Sequence, residues 1–99
     1  MQGVSLFGLE AIKASFKGTD LRGATLELGN FTGADFSDAL LEGAFVNAAN
    51  FERTKLTGSD WTDVLLRKDQ MNVLCGNPTA TGTNPTTGES TRETLNCPN

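Results

Sequence analysis

The chain contains two cysteines, twelve carboxylates and neither histidine nor tyrosine, which narrows the chemistry open to it. Without His or Tyr, the usual pairings of a nucleophile with a base are missing, so no catalytic residue, cofactor or metal site is assigned. Cys75 and Cys97 have a structural use: paired, they close a ring of 23 residues counted with both ends, worth about 3 kcal/mol in the chain-entropy model. The alternative is two unrelated free thiols. The paired reading is favoured, and it carries an oxidising compartment with it. Asp20, Glu42, Asp60 and Asp63, with Arg22 among them, recur at spacings near twenty and form the remaining candidate group. A cation would need their oxygens to converge within about 2.5 Å of one ion. A solvated face that keeps the protein soluble is the plainer reading.

The positions of these residues are set by a repeat. From Val4 to Lys68 an apolar residue returns every fifth position: Leu6, Ala11, Phe16, Leu21, Leu26, Phe31, Phe36, Leu41, Val46, Phe51, Leu56, Trp61 and Leu66. Two residues before most of these centres lies a small one, as at Ala14, Ala24, Gly29, Ala34, Ala39, Ala44, Ala49 and Ser59. Five residues advance an α-helix by about 140° net, so the pattern would smear round a helix. In a straight strand the fifth residue faces the opposite side. The period makes sense only if the chain turns a corner once per repeat and points each centre at a common axis. Gly8, Gly18, Gly23, Gly33, Gly43 and Gly58 stand two places after a centre, where a corner calls for positive φ.

The units Ala14-Ser-Phe-Lys-Gly, Ala34-Asp-Phe-Ser-Asp, Ala49-Asn-Phe-Glu-Arg and Ser59-Asp-Trp-Thr-Asp resemble the A(D/N)LXX unit of the pentapeptide repeat family. The resemblance covers about two thirds of the chain. It implies an all-β solenoid, a right-handed quadrilateral parallel β-helix over residues 1–68, with four repeats to a coil and a little over three coils. The centre and the residue two before it would point inward. The expected inner columns are Leu6, Leu26, Val46 and Leu66; Ala11, Phe31 and Phe51; Phe16, Phe36 and Leu56; and Leu21, Leu41 and Trp61. On the outside, Asp20, Glu42, Asp60 and Asp63 would share a face. Asn30, Asn50 and Gln70 would stack on another as an amide ladder. Phe45 and Leu65, with Leu28 and Phe7 beside them, would form an exposed apolar patch, and Leu28, Phe45 and Leu65 are the candidate contact residues.

Coil ends expose core and unpaired backbone, so caps are normally required. The amino end enters repeat register directly, and the favoured reading is a chain cut from a longer one, the alternative being an end that meets a partner. Residues 69–99 read as a carboxy-terminal cap. Asp69 is the expected N-cap of a short helix that buries Met71, Val73 or Leu74 and stops at a left-handed Gly76. Asn77 to Glu89 reads as loop, and Ser90-Thr91-Arg92-Glu93 as a capping box opening a final turn of helix. That second helix is expected to pack on Leu65 or across the coil end beside it. The sequence Leu74-Cys75, then Gly82 to Gly88, then Thr91 to Cys97 resembles the cap of pentapeptide proteins from the thylakoid lumen of plants and cyanobacteria.

Net charge is −4 with pI near 4.6, which argues against an electrostatic grip on nucleic acid and permits a basic partner. No run of 18 apolar residues offers a membrane span, and the amino terminus lacks the pattern of an uncleaved secretory signal. The leading expectation is a non-enzymatic structural or protein-interaction module of the thylakoid lumen, its protein partner and oligomeric state not given by the residues. A DNA-mimicking regulator of a topoisomerase is the alternative that the family resemblance raises. Eight basic residues among twelve acidic ones weigh against it. A metal-binding or enzymatic acidic face is the third.

Overall fold

The computed structural model describes residues 2–97. Parallel bridges join residues twenty apart in four columns: Ser5, Thr25 and Phe45; Glu10, Asn30 and Asn50; Ser15, Asp35 and Lys55; Asp20, Leu40 and Asp60. The chain therefore returns over itself every twenty residues, and each column runs up one of four faces. Each bridge residue from Thr25 to Asp60 both gives and takes. Thr25 N–H donates to Val4 O at 2.9 Å while Leu6 N–H donates to Thr25 O at 2.7 Å, and the same pair of bonds recurs around Phe45. Extended strands of several residues are not formed among the described residues. With a corner every five positions, each side has room for one paired residue before the chain turns.

The corners explain the period. The third residue of each turn lies at φ between 55° and 76° at all thirteen positions from Gly3 to Asp63. Seven are glycine, and the other six are Lys13, Leu28, Asp38, Ala48, Arg53 and Asp63. A side chain in this region costs about 1 kcal/mol, so the six are held there by the rung-to-rung hydrogen bonds on either side.

Inside, the large centres and the small column fit each other. Leu21, Leu26, Phe31, Phe36, Leu41, Leu56 and Trp61 are fully buried, with Val46 and Phe51 nearly so. Ala24, Ala34, Ala39 and Ser59 fill the small column at no exposure, and a Cβ on Gly29 would run into the Phe31 ring. Phe16 stacks on Phe36 at 5.1 Å and Phe31 on Phe51 at 5.6 Å, while neighbouring columns meet edge to face. Trp61 ends the series, edge-on to Phe51, its indole N–H donating to Ser59 Oγ at 2.7 Å. Leu6 and Leu66 are half-buried because each has a neighbouring rung on one side only.

The tail closes the last rung. Helix α1, Lys68–Cys75, is capped by Arg67 and not by Asp69, which lies in its first turn. The cap moves because Gln70 Oε1 accepts the Arg67 N–H at 3.2 Å, fixing the helix start two residues earlier. Leu74 is the residue buried, whereas Val73 is exposed and Met71 half-buried. Gly76 is also not left-handed. Its φ is −80°, and the helix ends by right-handed continuation, with Gly76 N–H on Asn72 O at 3.0 Å and Asn77 N–H on Leu74 O at 3.2 Å. Helix α2, Thr91–Thr94, begins at Ser90, whose hydroxyl accepts from Glu93 N–H, and Cys97 is disulfide-bonded to Cys75.

Candidate functional site

The acidic group is dispersed. Asp20 is held by Arg22, whose Nε and Nη2 donate to its two oxygens at 2.9 and 2.7 Å, and Gln2 adds a bond at 3.1 Å. The guanidinium holds the Asp20 carboxyl far below the usual carboxylate range. Glu42 and Asp63 are exposed. Asp60 is 3% exposed and engaged: it accepts from Thr62 N–H at 3.0 Å, Thr62 Oγ1 at 2.6 Å and Thr87 Oγ1 at 2.7 Å. Among the described residues no three His, Cys, Asp or Glu side chains gather where they could hold a metal ion.

Burial pushes the Asp60 carboxyl up, but the bonds from Thr62 and Thr87 outweigh it and leave the group below its ordinary value of 3.8. A folded-state pKa below the unfolded one stabilises above the unfolded value, and the contribution disappears as pH falls through the folded value. Stability is therefore expected to be flat from pH 7 to about 4 and to drop below that. Thr87→Val should shrink the acid-side drop in a series of thermal melts. An unchanged acid limb would show that the Thr87 bond carries none of it.

The amide ladder is not formed. Asn30 Oδ1 accepts from Thr32 N–H and Oγ1, and Asn50 Oδ1 from Glu52 N–H, so each amide closes its own turn two residues on. Gln70 turns away to the last rung, donating to Val46 O at 2.7 Å and Ala49 O at 3.3 Å.

That last bond belongs to a set that the sequence reading missed. The final rung has carbonyls and N–H groups that no further rung pairs, and the tail meets them with polar side chains. Asn77 Nδ2 donates to Thr54 O at 2.6 Å. Asn84, 1% exposed, donates to Gly58 O on the final rung at 3.0 Å and to Asp38 O and Ala39 O of the rung before it at 3.2 and 3.3 Å, Ala39 O also accepting Asp60 N–H, and it accepts from Thr86 and Thr87 N–H. Thr79 Oγ1 accepts Leu56 N–H at 2.9 Å, Thr94 Oγ1 accepts Trp61 N–H at 3.0 Å, and Thr81 O accepts Gly58 N–H at 2.9 Å. The one available signal was the spacing of seven between Gln70, Asn77 and Asn84. Asn before Pro reads equally well as a turn, which both also are.

These bonds decide which outer face the tail covers. Asn84 and Thr87 bring the loop over the column of Leu40 and Asp60, where Leu40 is left 7% exposed. The packing of the tail on Leu65 is thus overturned: Leu65 is 88% exposed, and Leu95, 1% exposed, joins the core where Thr94 meets Trp61. Phe45 and Leu28, at 57% and 58%, and Phe7 also remain in solvent. Phe45 and Leu65 follow each other up one face, with Leu28 at the corner two residues beyond Leu26.

The profile of pentapeptide repeats matches residues 1–38 in eight copies. Among solved structures, a pentapeptide repeat protein from the Arabidopsis thaliana thylakoid lumen is 42% identical, covering 96% of this chain and 68% of its own, with a TM-score of 0.56. This chain belongs to the pentapeptide repeat family. A pentapeptide repeat protein from the cyanobacterium Cyanothece 51142 is 23% identical over 69% of this chain and 53% of its own, at a TM-score of 0.40. None of the curated proteins matches. For a pentapeptide repeat protein a right-handed β-helix is implied, and the four columns of bridges twenty residues apart agree with it.

Proposed function

We propose that this pentapeptide repeat chain is a non-enzymatic interaction module of the thylakoid lumen, and that a protein partner sits on the face of Leu28, Phe45 and Leu65. Among the described residues, 2–67 carry the right-handed quadrilateral parallel β-helix that displays this face and 68–97 its disulfide-linked cap, α1 starting one residue before the expected boundary at 68/69. The twenty-residue pairing supports the helix. The 42% identity to a lumen protein and the Cys75–Cys97 bond support the compartment.

One observation carries the reading: Leu65 is 88% exposed although the tail begins three residues later, at Lys68, and packs elsewhere. Grouped exposed apolar residues are a marker of contact surfaces, whereas scattered ones are ordinary. Affinity capture from thylakoid lumen extract with the oxidised protein tests it. A Phe45→Ser, Leu65→Ser variant with an unaltered melting temperature is expected to lose the captured partner. Identical capture by both proteins would remove the face from the reading.

A further inference from the structure

Between Phe45 and Leu65 the face is indented. A hollow of about 190 Å³ is lined by these two residues with Val46, Asn47, Glu27 and Asp63 among its walls. Small-molecule sites run to about 300–1,000 Å³, so this one suits a single side chain. The charged residues of its lining are both carboxylates. The nearby cations are directed elsewhere: Arg22 is paired with Asp20, and Arg67 lines a separate hollow with Asn50, Glu52 and Asp69. The face spans three rungs, about 15 Å at strand spacing, and with the molecule's shortest dimension of 22 Å as its width it offers about 330 Å², short of the roughly 800 Å² per partner that a stable dimer of two copies buries. Its occupant is therefore a short segment, and its charge is opposite to that of the rim.

We propose that the hollow between Phe45 and Leu65 takes one apolar side chain of a partner segment whose adjacent residues are Lys or Arg, the cations lying against Glu27 and Asp63. This rests on the contact-face reading and adds the chemistry of the partner. The apolar side chain supplies most of the affinity by leaving water, and the cations supply selection and on-rate, because the rim carboxylates remain solvated. A segment of the same shape with acidic flanks brings like charges together and is rejected.

The probes are three acetylated, amidated pentapeptides, Lys-Lys-Phe-Lys-Lys, Lys-Lys-Ser-Lys-Lys and Glu-Glu-Phe-Glu-Glu, titrated into the oxidised full chain at low salt and followed by amide NMR shifts. The first is expected to saturate shifts at Val46, Asn47 and Leu65, with the other two at least about tenfold weaker. Glu27→Gln with Asp63→Asn should cost the first peptide about five- to tenfold, and raised salt should do the same. Equal binding of the acidic peptide, or shifts away from the hollow, would overturn the proposal. If capture from lumen extract depends on Phe45 and Leu65 but no basic peptide binds, the partner chemistry falls and the contact face stands. If the basic peptide fills the hollow while capture ignores it, the lumen-partner reading falls and the chemistry of the hollow stands.

Discussion

Phe36→Ala is expected to lower stability by about 3 to 5 kcal/mol, the range for emptying a buried aromatic site. The ring has no exposure and touches three others: it stacks on Phe16 with planes 9° apart and meets Phe31 and Phe51 edge-on at 5.6 and 5.8 Å. Backbone paired every twenty residues cannot collapse inward without breaking rung hydrogen bonds, so the cavity should persist and the cost should fall at the upper end. The adjacent residue makes the control. Asp35 points outward and accepts Ser37 N–H at 2.8 Å, so Asp35→Ala loses one turn-closing bond, about 1 kcal/mol. Phe36→Leu, which keeps most of the volume, should fall between them. Chemical denaturation of the three variants measures this, and equal midpoints for Phe36→Ala and Asp35→Ala would place the ring outside the core.

Phe36 also shows what could be read from sequence. A centre every fifth residue has one geometric solution, a corner per repeat, and the repeat units led directly to the family. The two cysteines had one partner each, so their bond was legible too. Less legible were the corners without glycine: nothing in Leu28 or Ala48 announces φ near 60°, because neighbouring rungs impose it against their own preference. The path of the tail was least legible. An apolar-burial argument sent Leu95 toward Leu65, whereas the carbonyls of Asp38 and Gly58, which no rung pairs, drew Asn84 to the adjacent face. A buried unpaired carbonyl costs about 1 to 3 kcal/mol, comparable with burying one leucine, and two such carbonyls outweigh one side chain. Positions set by backbone groups leave no apolar pattern behind. The same holds for Gln70, whose place in the repeat register suggested stacking with Asn50 and whose actual partners are the carbonyls of Val46 and Ala49.

Opening the Cys75–Cys97 bond is expected to cost about 3 kcal/mol, and the loss should be uneven along the molecule. The bond ties the end of α1 to the residues after α2, across a sequence separation of 22. The segment between these points holds the last rung mainly through side chains, Thr79 on Leu56 N–H, Asn84 on Gly58 O and Thr94 on Trp61 N–H, and through Thr81 O on Gly58 N–H. Each such bond is worth about 1 kcal/mol and needs the loop to be held in place, so freeing its end loosens them together. The rung of Leu26, Phe31 and Phe36 is paired backbone to backbone on both sides, and each rung depends mainly on its neighbours. Hydrogen exchange after reduction should therefore show early loss of protection at the Leu56, Gly58 and Trp61 amides, while those of Leu26, Phe31 and Phe36 stay slow. A Cys75→Ala, Cys97→Ala variant should behave the same way in the absence of reductant. Uniform loss along the chain would mean that the cap and the rungs unfold as one unit. Unchanged protection at Trp61 would mean that the polar contacts of the tail hold the last rung without the covalent bond.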